Sequence, residues 1–74
     1  MQCPVCGAIA KNITRPDFDG LAVRCRNCKE FDVAGTALNG LLRLDGAERA
    51  AALEKARRFA SVGVRPSITT TCLG

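Results

Sequence analysis

The chain contains no histidine, tryptophan or tyrosine, and its aromatic residues are three phenylalanines. Without histidine there is no Ser-His-Asp set and no imidazole for acid–base catalysis. The sequence also has no glycine-rich phosphate loop, and the acids Asp17, Asp19 and Asp32 are scattered over turn and strand positions. We therefore expect a protein that is not an enzyme.

Long apolar runs are also missing. No stretch approaches the ~20 residues that cross a bilayer, and residues 1–4 lack the charged and apolar regions of a secretory signal peptide. We expect no membrane association and a location in the reducing cytoplasm, where disulfides are rare. A chain of 74 residues suffices for one domain with a small core, which favours stabilisation by a metal or a disulfide.

Four of the five cysteines form two C-x-x-C pairs, Cys3 with Cys6 and Cys25 with Cys28. Two such pairs supply four thiolates for a tetrahedral Zn²⁺, because each short turn brings two sulfurs within reach of one metal. We predict one zinc ion per chain, bound by these four residues. A closed four-thiolate site leaves no coordination position for a substrate, so its predicted role is structural.

Disulfides are the first alternative to metal. The odd number of cysteines and the symmetry of the two pairs favour metal. The fifth cysteine, Cys72, is open to two interpretations: a reactive thiol, or a small apolar residue in a terminal strand. No charged residue adjoins Cys72 in sequence to lower its pKa, which favours the second interpretation.

The first half of the chain has the pattern of a β-hairpin. Alternation predicts a strand over 9–14, turn residues occupy 15–20, a returning strand spans 21–24, and a third short strand covers 30–33. Gly7 follows the first cysteine pair, where the turn needs a positive φ.

The second half has helical periodicity. Leu38, Leu41 and Leu42 predict a short helix beginning at Thr36, which Gly40 weakens by ~1 kcal/mol. Asp45 and Glu48 have the spacing of a capping box.

The capping box predicts a longer amphipathic helix over 46–60, whose apolar face comprises Ala52, Leu53, Ala56, Phe59 and Ala60. Residues 67–73 fit either an added edge strand or a loose terminus. The expectation is a single small α+β domain: a metal-stapled hairpin or three-stranded sheet over 1–34, a helical part over 35–62 and an extended tail over 63–74.

Cys-Pro-x-Cys-Gly, a hairpin, and then Cys-x-x-Cys followed by a strand resemble the zinc-ribbon family over residues 1–33. The resemblance implies that the two cysteine pairs are the metal ligands, and it extends to small bacterial and phage ribbon proteins. Lys29 departs from the pattern, because a glycine is frequent there, so a strained turn is expected. Rubredoxins bind iron with a similar cysteine set, but they are aromatic-rich and acidic, so zinc is favoured. Zinc ribbons serve many functions, and the fold does not fix one.

The formal charge of +4 becomes about +2 when a zinc–thiolate centre of charge 2 − 4 = −2 forms. The basic residues fall into two groups. The group around the ribbon is a candidate nucleic-acid surface: Arg15, Arg24, Arg26 and Lys29. The group on the longer helix has the spacing of ion pairs, Asp45–Arg49 and Glu54–Arg58. Arg49 lies on the apolar side of that helix, where it either pairs with a carboxylate or forms an anion site.

Two functions remain open. The first is an adaptor that binds an unidentified protein partner or forms a homodimer, because the stretch 33–44 carries more apolar surface than one helix easily covers. The second is nucleic-acid binding through the basic residues of the ribbon. The modest charge and the lack of tyrosine and tryptophan for base stacking weigh against the second.

Overall fold

The computed structural model describes residues 1–73, which form a small α+β fold. The elements in chain order are β1 (Ala10–Asn12), β2 (Gly20–Cys25), β3 (Lys29–Ala34), α1 (Gly35–Arg43), α2 (Gly46–Phe59), β4 (Ser67–Ile68) and a 3₁₀ turn (Thr70–Cys72). The predicted hairpin, third strand and two helices are all present. The tail adds a fourth strand, as the edge-strand alternative anticipated.

The four strands form one mixed sheet in the order β1-β2-β3-β4. The first three are antiparallel neighbours, and β4 runs parallel to β3. Val23 lies opposite Phe31, and Val33 lies beside Ile68. All four side chains are completely buried, and both helices contribute residues to the same core. Together with the clustered cysteines at one end, the arrangement is consistent with a zinc-ribbon-like fold.

The shorter helix, α1, follows β3 without a connecting loop. Its N-cap is Ala34, which provides no side-chain hydrogen bond, so the prediction that Thr36 starts the helix is wrong. A Cβ atom at Gly40 would lie 2.7 Å from Cδ1 of Leu73. The C-terminal turn thus lies close to α1 beside this glycine, a contact that the sequence pattern did not indicate.

The longer helix, α2, begins with the predicted capping box. The backbone N–H of Glu48 donates to Asp45 Oδ1 at 2.8 Å, and the N–H of Asp45 donates to Glu48 Oε1 at 3.5 Å. Ala52, Leu53 and Ala56 are buried as predicted.

Phe59, the last residue of α2, was expected on the buried face, but it is 79% exposed. Helical periodicity gives the angle of a side chain about the axis. It does not indicate how far along that axis the sheet extends.

Within residues 1–73, neither helix combines the length and the apolar character needed to cross a bilayer.

Candidate metal centre

Two tight turns carry the four paired cysteines. The first is shaped by hydrogen bonds from the Cys3 N–H to the Ala8 carbonyl (2.7 Å) and from the Gly7 N–H to the Cys3 carbonyl (2.9 Å). The second joins β2 to β3, so that Cys25 ends one strand and pairs with Lys29 at the start of the next. We call these turns the first knuckle (residues 3–7) and the second knuckle (residues 25–29).

The knuckles bring the four sulfur atoms together. All Sγ atoms of Cys3, Cys6, Cys25 and Cys28 lie within 4.8 Å of one another. The Sγ separations are 3.9 Å for Cys3–Cys28 and 3.5 Å for Cys6–Cys25. A tetrahedral zinc ion with Zn–S bonds of about 2.3 Å requires sulfur separations of about 3.8 Å. The cluster therefore has the donor type and the spacing to hold a metal ion of this kind.

The four thiols differ in exposure and in acidity. Cys3, Cys25 and Cys28 are buried, whereas Cys6 is exposed. A hydrogen bond from the backbone of Ala8 lowers the pKa of Cys6 to about 7. Burial raises the pKa of Cys3 and of Cys28 above the ordinary range of a thiol. Metal binding requires thiolates, so a bound cation would have to displace the protons of Cys3 and Cys28, the two thiols with a raised pKa.

The residue after each knuckle's second cysteine adopts a left-handed conformation. Gly7 has φ = +78° and Lys29 has φ = +65°. The first value confirms the expectation for Gly7. The second confirms that Lys29 occupies a position suited to glycine, since a residue with a Cβ atom pays a steric cost there.

Two arginines of α2 contact the knuckles, a feature that sequence analysis missed. Arg49 donates through Nη1 to the Pro4 carbonyl at 3.1 Å, and Arg57 donates through Nη2 to the Cys28 carbonyl at 2.8 Å. Backbone oxygens accept the hydrogen bonds of Arg49, and within residues 1–73 no carboxylate lies within 4.0 Å of its guanidinium nitrogens, so the expected carboxylate pairing is wrong. The anion site stays a prediction. The predicted ion pairs Asp45–Arg49 and Glu54–Arg58 do not form among the described residues. Glu54 instead lies 3.7 Å from Arg57.

The four basic residues of the ribbon are distributed over three surface depressions. Arg24 and Arg26 line a depression together with Lys11 and the 88%-exposed Ile9. Arg15 lines another with Phe18, and Lys29 a third with Arg57. Arg24 is also paired with Glu30, with Nε 3.0 Å from Oε2.

The leucine-rich stretch of α1 is largely covered within one chain. Leu41 is completely buried, Leu38 and Leu44 pack against the core, and Leu42 is 49% exposed. A larger apolar surface lies at the C-terminal end of α2 and in the loop after it, where Phe59, Val62 and Val64 are 79%, 105% and 60% exposed. We call these three residues the apolar patch.

Cys72 lies apart from the metal-binding cluster. Its side chain is buried, and its Sγ atom is 3.8 Å from Thr69 Oγ1. This placement favours a packing role over a reactive one.

Comparison of the chain with protein-family models, with curated proteins and with solved structures found no match.

Proposed function

We propose that the chain is a zinc-stabilised, non-enzymatic module of the zinc-ribbon type that binds another protein. The sulfur cluster supports the structural part of this proposal. Four thiolates complete the tetrahedral shell of Zn²⁺, so the ion would hold the two knuckles together without offering a position to a substrate.

The apolar patch carries the binding part of the proposal. Phe59, Val62 and Val64 lie within six positions of one another and remain exposed. Phe59 lines a depression together with Val64, and Val64 lines another together with Val62, so the three side chains form one surface. A contiguous exposed apolar surface of this kind in a soluble domain is typical of an interaction site. Aromatic residues such as Phe59 are enriched in the buried centres of protein interfaces.

The charges around the patch define the partner. Val62 and Val64 share a depression with Lys29, Arg57 and Glu30, and Lys55 precedes Phe59 by one helical turn. The one carboxylate in this depression, that of Glu30, is already paired with Arg24 and Arg65. Within residues 1–73, no carboxylate lies within 4.0 Å of either lysine nitrogen. The surface therefore complements a protein segment that carries apolar anchors flanked by aspartate or glutamate.

A peptide array tests this function directly. Peptides with the same apolar residues are flanked by acidic, neutral or basic residues and probed with the zinc-loaded chain. Acidic peptides should bind most tightly, and Phe59→Ser should weaken that binding by more than about 10-fold, as loss of an aromatic anchor usually does. Phe18→Ser is the matched control, because Phe18 is also exposed but lines a different depression.

Three results would contradict the protein-binding proposal. The basic peptides could bind as well as the acidic ones, or Phe59→Ser could leave binding unchanged. Sedimentation could also reveal a dimer that Phe59→Ser dissociates, which would make a second copy of the chain the occupant of the patch.

A second candidate function is nucleic-acid binding, favoured by the depression that Lys11, Arg24 and Arg26 line. Three cations around one depression could contact adjacent phosphates, and each contact steepens the log–log salt dependence of binding by ~0.9 for duplex DNA. The pairing of Arg24 with Glu30 reduces the charge available. Electrophoretic shifts with random DNA and RNA at two salt concentrations test this candidate. Loss of binding and a flatter salt slope in the Arg24→Ala/Arg26→Ala variant would support it, and no binding by the parent at low salt would exclude it.

A further inference from the structure

The helix α2 places one guanidinium group on each knuckle. Arg49 reaches the Pro4 carbonyl inside the first C-x-x-C turn, and Arg57 reaches the carbonyl of Cys28, the last cysteine of the second turn. The two arginines are eight positions apart, which corresponds to about 12 Å along the helix axis. A single rigid helix thus spans the two separate turns that carry the sulfur atoms.

Each arginine contact is specific rather than a general surface charge. Arg49 also donates to the Leu44 carbonyl (Nε, 2.9 Å) and to the Leu42 carbonyl (Nη2, 2.7 Å) at the end of α1. It therefore joins the first knuckle to the end of one helix and the start of the other. Arg57 makes fewer contacts: a hydrogen bond to the Cys28 carbonyl and a longer ion pair with the carboxylate of Glu54.

We propose that Arg49 and Arg57 are positioning residues of the metal centre, which make zinc binding depend on α2 as well as on the ribbon. The inference rests on the proposed zinc site. Neither arginine is a ligand. Their charge-assisted hydrogen bonds hold the knuckle backbones at the spacing that the sulfur atoms require. The two guanidinium groups also bring positive charge toward a centre whose charge is 2 − 4 = −2, although the carboxylate of Glu54, 3.7 Å from Arg57, offsets part of it.

The expected loss of zinc affinity follows from what is known of residues that hydrogen-bond to metal ligands without binding the metal. Removing a group that orients a ligand typically lowers metal affinity by about 10–100-fold. A purely structural arginine would destabilise the helix, but it would leave the metal–sulfur geometry of the loaded protein unchanged. The two possibilities therefore differ in the spectrum of the bound metal and in the rate at which the metal is released.

Arg57 is the better residue to test, because its substitution leaves the junction of the two helices intact. The variants are Arg57→Met, the conservative Arg57→Lys, and Arg58→Met as a matched control from the same turn, where the side chain is exposed. The measurements are zinc affinity by competition with a chelator, the rate of zinc transfer to that chelator, and the Co²⁺–thiolate absorption spectrum. Circular dichroism checks that the loaded variants retain their helices.

We expect Arg57→Met to bind zinc about 10-fold more weakly, to release it faster and to shift the cobalt bands. Arg57→Lys should recover part of the affinity, since lysine keeps the charge but loses the planar donor geometry. Arg58→Met should match the parent. Arg49→Met should weaken zinc binding at least as much, and if it fails to fold, Arg57 alone decides the question.

The proposal is overturned if Arg57→Met binds and releases zinc like the parent. It is also overturned if affinity falls while the release rate and cobalt spectrum stay unchanged, because the role would then be structural only. These outcomes differ from failure of the proposed zinc site, in which the parent chain itself would bind no zinc.

Discussion

Replacing Lys29 by glycine should stabilise the protein, although the change removes a side chain. Lys29 has φ = +65°, in the left-handed region where a Cβ atom crowds the backbone. That conformation costs a residue other than glycine about 1 kcal/mol. The side chain is exposed, so little packing is lost. We therefore expect Lys29→Gly to raise the free energy of unfolding by up to about 1 kcal/mol and the thermal midpoint by about 4–8 °C.

Gly7 provides a matched substitution of opposite sign. It has φ = +78° at the equivalent position of the first knuckle, and a Cβ atom added there would meet no atom within 4 Å. Gly7→Ala therefore imposes the backbone cost alone, and we expect a loss of about 1 kcal/mol. Lys29→Asn should give part of the gain, because asparagine tolerates this region. Lys29→Ala should change little, which separates the backbone effect from the loss of charge.

Thermal unfolding followed by circular dichroism measures these effects, with the free zinc concentration held constant because bound metal itself raises the midpoint. The reasoning is refuted if Lys29→Gly is neutral or destabilising while Gly7→Ala is destabilising. A gain in Lys29→Ala equal to that in Lys29→Gly would assign the effect to charge instead.

Two further predictions concern the metal. A chelator should abolish the tertiary structure of the ribbon, because a core of this size has little stability of its own. Part of α2 should survive through its capping box. An unchanged thermal midpoint after complete metal removal would contradict this prediction. Zinc binding near pH 7 should release at least two protons, because the raised pKa values of Cys3 and Cys28 keep both thiols protonated, and zinc affinity should therefore fall as the pH is lowered. Calorimetry in buffers of different ionisation enthalpy counts the released protons, and a release near zero would refute the prediction.

Features that depend on neighbours in sequence could be predicted from the sequence. The C-x-x-C spacing predicted the sulfur cluster because each turn is local, and the hairpin between the pairs needed only alternation and turn residues. The capping box of Asp45 and Glu48 and the positive φ of Gly7 are equally local. The two turns, the cap and the positive φ are each decided within a few residues, where propensity and hydrogen bonding leave few alternatives. The meeting of the two cysteine pairs, up to 25 positions apart, follows from the hairpin between them.

Features that depend on distant contacts could not be predicted in this way. Arg49 meets Pro4 and Arg57 meets Cys28 across 45 and 29 positions, and no local pattern indicates which carbonyl a guanidinium will reach. The exposure of Phe59 likewise depends on where the sheet ends. The contact between the Leu73 side chain and α1 beside Gly40 could not be predicted either, because helix propensity treats this glycine only as a residue that weakens the helix.

The most direct test of the central claim is to measure the zinc content of the purified chain and of two cysteine variants. Elemental analysis should give one zinc per chain for the parent and for Cys72→Ala, because Cys72 lies outside the sulfur cluster. Cys25→Ser should lose most of its zinc together with the ribbon's tertiary structure, since it removes one of four thiolates from a buried position. A parent chain without metal, or a Cys25→Ser variant that keeps its full zinc content and its fold, would contradict the account.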